Sequence, residues 1–199
     1  MPKTVSIVSR KGGVGKSTLC SNLAVIAGDA TILDCDDQAS LADWGDRRKQ
    51  DTPPVIAIPA RRAVATIKQT NTDWNFIDTP GTLDANIIEV IQASDFALVV
   101  LRYGQFELDS VSTTLSAVKL TQKPAAVVLN LLHPNSNAQD LIKNLQEADL
   151  GFPIVPTAIC SRADFQTAAT QGIGVTELAP EGKAAQEITQ VWNWLKTEI

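Results

Sequence analysis

"SRKGGVGKST", residues 9–18, follows the apolar run Thr4–Val8 and precedes an apolar helical pattern that ends near Ala27. Strand, glycine-rich loop and helix in that order form the context in which a phosphate-binding loop is credible. Gly12, Gly13, Val14 and Gly15 supply a turn tight enough for backbone N–H groups and the positive end of the following helix to face an anion. Lys16 adds a point charge for the outer phosphates, and the Ser17 hydroxyl, with Thr18 behind it, is of the type that ligates Mg²⁺. The standard spacing G-x-x-x-x-G-K-[ST] asks for glycine at position 10, where this chain has Arg10, and a second lysine, Lys11, stands inside the loop.

Outward from the loop, short β-rich runs alternate with longer stretches of helical spacing, and Gly, Pro and Asp cluster at the changeovers. That is the pattern of a parallel sheet with crossover helices. Strands are expected at 4–9, 31–34, 55–58, 74–78, 96–101, 125–131 and 154–159, most of them continuously apolar, as in strands covered on both faces. Helices are expected at 16–27, 40–49, 61–70, 86–93, 108–120, 136–149, 164–171 and 183–196. In the last, Ile188, Val191, Trp192 and Leu195 mark one apolar stripe. At 199 residues and 44% hydrophobic, the chain suits one α/β domain over residues 1–199, a mostly parallel twisted sheet with helices on both faces.

Two further stretches carry chemistry. In "ATILDCDDQASLADW" a strand ends in Asp34, and Asp36 follows at the carboxyl end, the side of a parallel sheet that faces the loop. Asp36 is expected to orient the attacking water or assist Mg²⁺ binding; Asp34 either shares that site or is structural, and Asp37 fits a helix cap. In "WNFIDTPGTLD" the strand ends in Asp78, which fits the Mg²⁺-associated aspartate, and Thr79, Pro80 and Gly81 form a turn able to sense a γ-phosphate.

A net charge of −5 and a pI near 4.9 argue against a strongly basic nucleic-acid-binding fold, leaving local patches such as Arg47–Lys49 and Arg61 with Arg62 as the available basic clusters. Cys20, Cys35 and Cys160 are widely spaced and His133 is the single histidine, which suits neither a disulfide framework nor a zinc site. With no signal-peptide-like run and no apolar stretch of about 18 residues, a cytoplasmic protein is expected.

On these motifs the chain resembles the ParA-type ATPases, within the deviant Walker A group of P-loop NTPases that also includes MinD. Lys11 to Ser17 match K-G-G-x-G-K-[ST], Asp34, Asp36 and Gln38 match D-x-D-P-Q, and Asp78 to Pro80 match D-T-P. Asp37 and Gly81 stand where the family commonly has proline. The resemblance implies ATP and Mg²⁺ as cofactors, with Lys11 reaching the partner's phosphates in an ATP-bound homodimer. It also implies nonspecific DNA binding with nucleoid association, and a ParB-like adaptor that stimulates turnover while a plasmid, chromosome or protein cargo is positioned. Catalytic roles fall to Lys11, Lys16 and Asp36, and metal contacts to Ser17, Asp36 and Asp78. Asn130 either pairs with the adenine edge or forms a turn, Pro156 stands beside the base pocket, and Arg162 lies near the dimer or DNA surface or in a surface ion pair.

With no extension ahead of the first strand, operator binding through an added helix-turn-helix is not expected. The terminal "QVWNWLKTEI" carries Lys196 as its one basic residue and suits a core-packed helix better than a membrane-targeting one, so no stable membrane association is expected. The alternatives are a MinD-like membrane-associated regulator and an ATP-dependent amidoligase or synthetase of the same fold.

Overall fold

A computed structural model describes residues 2–199, with the side chains of all but 105–110. The expected parallel sheet is present as six strands: β1(Lys3–Val8), β2(Ala30–Asp34), β3(Val55–Ala57), β4(Trp74–Asp78), β5(Phe96–Arg102) and β6(Ala125–Asn130). They lie in the order β3-β2-β4-β1-β5-β6, and every pairing is parallel. The crossovers are α1(Lys16–Ala27), α2(Ser40–Arg47), α3(Ala60–Ile67), α4(Ala85–Ala93) and α5(Gln105–Leu120); α6(Ala138–Glu147), α7(Ala163–Gln171), α8(Val175–Leu178) and α9(Lys183–Glu198) follow the last strand. Residues 108–110 of the expected helix 108–120 have side chains outside the described ones.

Alternation along the strands divides the core in two. Val5, Ile7, Ile32, Phe76, Leu98 and Val128 pack on one face with α1 and α9. Val8, Val99, Val127 and Leu129 pack on the other, where Leu33 and Ile77 form a smaller cluster with Ala63 of α3 and Val90 of α4. The terminal helix belongs to the first face: Ile188, Val191, Trp192 and Leu195 are buried, and the Trp192 ring meets Trp74 edge-on at 4.7 Å. Its apolar stripe is thus used within the fold, as its low positive charge suggests. Among the described residues no helix is long and apolar enough to cross a membrane.

One expectation needs correction. Residues 154–159 are not a seventh strand; Ile154 forms an isolated bridge with Val127 of β6, and Cys160 forms another with Leu132 just beyond that strand. The Val155 N–H donates to Val127 and the Ile159 N–H to Leu129, so four residues on one side span two on β6. The surplus residues bulge at Pro156, which has no N–H to give the ladder. No expectation covered α8, a four-residue helix too short to leave a periodic signal in sequence.

Candidate functional site: a nucleotide cleft at the carboxyl edge of the sheet

Strands β1, β2 and β4 end together, and their following loops meet at one rim. The loop after β1 takes left-handed backbone at Gly13 (φ 72°) and at Gly15 (φ 86°), the residue that begins α1. Gly15 is also tightly placed: an added Cβ would lie 2.4 Å from Asn130 Nδ2. Side chains with a Cβ are strained at such angles and excluded by that contact.

The two loop lysines part company. Lys16 is 6% exposed, whereas Lys11 is exposed. Ser17 Oγ donates to Asp78 Oδ2 at 2.5 Å. Asp78 is fully buried, and its Oδ1 has no hydrogen-bond partner. Burial pushes its carboxyl up to about 7, with the charge of Asp34 adding to the shift and the Ser17 bond and Lys16 opposing it. An orphaned buried carboxylate oxygen beside a hydroxyl is a costly arrangement for stability alone. It fits a hard divalent cation such as Mg²⁺, which takes one or two protein oxygens and fills its remaining positions with phosphate and water.

Asp34 and Asp36 have separate tasks. Asp34 Oδ2 accepts from the N–H groups of Leu41 and Ala42, and Oδ1 from that of Asp36, so it fixes the entrance to α2 and is structural. Burial still raises its pKa against those three bonds. Asp36 is half-buried and lines the phosphate cleft with Gly12, Lys16, Ser17 and Gln38. The turn after Asp78 is held by Thr79 Oγ1 donating to the Ile7 carbonyl at 2.8 Å. Gly81 then lies against the loop: a Cβ there would stand 3.4 Å from the Gly12 nitrogen and 3.7 Å from the Lys11 carbonyl carbon.

Beside the phosphate cleft is a second cavity of about 340 Å³, lined by Thr18, Leu19, Asn130, Ile159 and Phe165 among others. Its apolar walls and its place next to the loop suit a nucleoside. A family model described as the CobQ/CobB/MinD/ParA nucleotide binding domain matches residues 5–175. The chain belongs to that family.

Members and neighbours agree along the whole length. The chain is 29% identical over 205 residues to the maintenance of carboxysome distribution protein A of Halothiobacillus neapolitanus, covering 96% of this chain and 94% of that one. It superposes on a Borrelia burgdorferi plasmid partition protein bound to AMPPNP with a TM-score of 0.79 at 16% identity, over 100% of both chains. On the Pyrococcus horikoshii septum site-determining protein MinD complexed with Mg-ADP the TM-score is 0.76 at 19% identity, over 98% of this chain and 96% of that one. These neighbours share the fold of this CobQ/CobB/MinD/ParA domain.

Three further residues named from the sequence have defined places in it, and Arg162 takes the ion-pair alternative. The Asn130 amide nitrogen donates to the carbonyls of Val14 at 2.8 Å and Gly15 at 3.4 Å, a clamp across 116 residues that no local signal announces. Pro156 is exposed on its bulge and does not line the nucleoside cavity. Arg162 lines that cavity and is paired with Glu187 at 2.5 Å, which raises its pKa. Of the basic run Arg47–Lys49, Arg47 and Lys49 are exposed, but the Arg48 side chain is 4% exposed and forks onto Glu177, with a contact at 2.7 Å. His133 is an exposed loop residue, and among the described residues no group of His, Cys, Asp and Glu could hold a metal by itself.

Proposed function

We propose that this chain is a Mg²⁺-dependent ATPase whose nucleotide state controls homodimerisation, and which in its ATP state binds DNA without sequence preference and positions a cargo. The observation that carries this reading is the split between the two lysines of one loop. Buried Lys16 lies among the groups that face a nucleotide's outer phosphates. Lys11, on the same loop, is exposed, and a facing copy of the site would bring phosphates to the loop that need charge neutralisation.

Ser17 and Asp78 would hold magnesium, which when bound neutralises charge developing on the transferred phosphoryl group. The loop N–H groups and the α1 amino end bind and orient the phosphates, and the apolar walls of the 340 Å³ cavity exclude water from the nucleoside. Asp36, at the rim of the phosphate cleft, orients the attacking water. The backbone of Thr79–Gly81, which faces Gly12 across a space one Cβ would fill, senses whether the γ-phosphate is present and passes that state to the dimer surface.

The α9 stripe is already buried in the core, which favours this reading over a membrane-targeting one. The 29% identical relative is named for carboxysome distribution, and this favours a protein assembly over a plasmid as cargo, handled through an adaptor that stimulates turnover. The test is sedimentation of the purified protein with Mg-ATP and with Mg-ADP. A dimer only with ATP, together with slow phosphate release, supports the proposal; the same mass in both states overturns the switch.

A further inference from the structure

The outward face of α3 gathers positive charge with no negative charge on the same segment of this acidic chain. Arg61, Arg62, Ala65, Lys68 and Gln69 are exposed, while Ala63 is buried against Ile77 and Val90. Positions 61, 65 and 68, with 62 and 69, fall on one side of a helix. From Ala60 to Thr72 there is no Asp or Glu. Among the described residues none of the three cations is in an ion pair.

This distribution is not explained by stability. Arg61 and Arg62 sit in the first turn of α3, where the helix dipole disfavours cations. Three basic residues elsewhere are held in ion pairs, Arg48 with Glu177, Arg162 with Glu187 and Lys143 with Glu147. The segment from α7 to the end carries Asp164, Glu177, Glu181, Glu187 and Glu198 against Lys183 and Lys196, so it repels a polyanion.

We propose that α3 is the surface on which duplex DNA is held through its phosphate backbone. This rests on the DNA-binding part of the proposed function and supplies its location. Seven residues of helix separate Arg61 from Lys68, about 10 Å along the axis, the rise of about three phosphates on one strand. Guanidinium forks match phosphate oxygens in pairs. The face offers no large apolar side chain, only Ala65, so it lacks both the anchor of a protein hot spot and the wedge of a membrane-inserting helix. Contacts to phosphate alone carry no sequence information, which agrees with nonspecific binding. The helix follows β3, one of the sheet's two edge strands, so it is reachable from the side while the nucleotide loop is engaged with a second copy.

The experiment titrates a random-sequence 60-base-pair duplex with ATP-loaded protein at several salt concentrations, comparing the wild type with the triple variant Arg61→Ala, Arg62→Ala, Lys68→Ala. The expected result is a salt slope smaller by about 3 per engaged protomer and at least tenfold weaker binding at about 50 mM salt, with ATP affinity and ATP-dependent dimerisation unchanged. The charge-keeping variant Arg61→Lys, Arg62→Lys retains the slope. A wild type that does not bind DNA overturns the DNA step of the proposed function and this inference with it. A wild type that binds, with a triple variant of unchanged slope, overturns this inference alone. Loss of binding to anionic phospholipid vesicles with DNA binding intact also overturns it.

Discussion

The side-chain amide of Asn130 donates to the carbonyl of Val14 at 2.8 Å, tying the end of β6 to the phosphate loop. Asn130→Ala therefore loosens the loop itself. Affinity for ATP and for inorganic tripolyphosphate should fall together, by roughly fivefold, the value of about 1 kcal/mol for one buried hydrogen bond. Calorimetric titration of both ligands checks this. A loss confined to ATP would instead assign Asn130 to the adenine edge.

Buried Lys16 and exposed Lys11 should separate in mutants. Lys16→Ala removes the charge inside the site and should weaken ATP binding by about a hundredfold or more. Lys11→Ala should leave ATP binding within about threefold, the scale of an exposed charge in water, and abolish the ATP-dependent dimer. Equilibrium binding and sedimentation of each variant read the two effects independently.

Asp78 carries a stability cost that a neutral isostere relieves. At pH 8 its carboxyl is ionised, fully buried and half unsatisfied. Asp78→Asn should raise the unfolding temperature of the nucleotide-free protein, by about 2 kcal/mol in stability, and eliminate the further rise that Mg-ATP gives the wild type. Thermal melts with and without Mg-ATP report both.

The Arg48–Glu177 pair joins the carboxyl end of α2 to α8. Burial alone would raise Glu177, but the Arg48 guanidinium and the Gly174 N–H outweigh it and hold the carboxyl below its ordinary value of 4.5. Since the folded pKa is depressed, the stability contribution is complete above that ordinary value and is lost as pH falls through the folded one. Glu177→Gln should unfold less steeply below pH 4.5 and be less stable at neutral pH by about 3 kcal/mol, because Arg48 is left buried without its anion. Denaturant titrations from neutral to acid pH test both.

What the sequence announced and what it hid follow a physical division. The loop from Ser9 to Thr18 and the strands ending at Asp34 and Asp78 are legible because each is a local pattern of backbone demand and apolar alternation. Lys16–Ala27 and Trp74–Asp78 match their expected bounds for that reason. Residues 154–159 read as a strand because their side chains are apolar, while the obstruction is one missing donor at Pro156. Arg48 looked solvated beside Arg47 and Lys49, since nothing near it in sequence shows that Glu177 and the Gly172 carbonyl wait 129 and 124 residues away. The Asn130 clamp was hidden in the same way: a residue type and a strand end were visible, but the carbonyls it meets belong to the other end of the chain.

Gly81 faces the phosphate loop across a space that one methyl group would fill: a Cβ there would stand 3.4 Å from the Gly12 nitrogen and 3.7 Å from the Arg10 carbonyl oxygen. A side chain at this junction would act as a wedge, holding the turn after β4 and the loop at a fixed separation. Glycine leaves that clearance open, so the turn after Asp78 can close toward Gly12 without a side chain having to move out of the way.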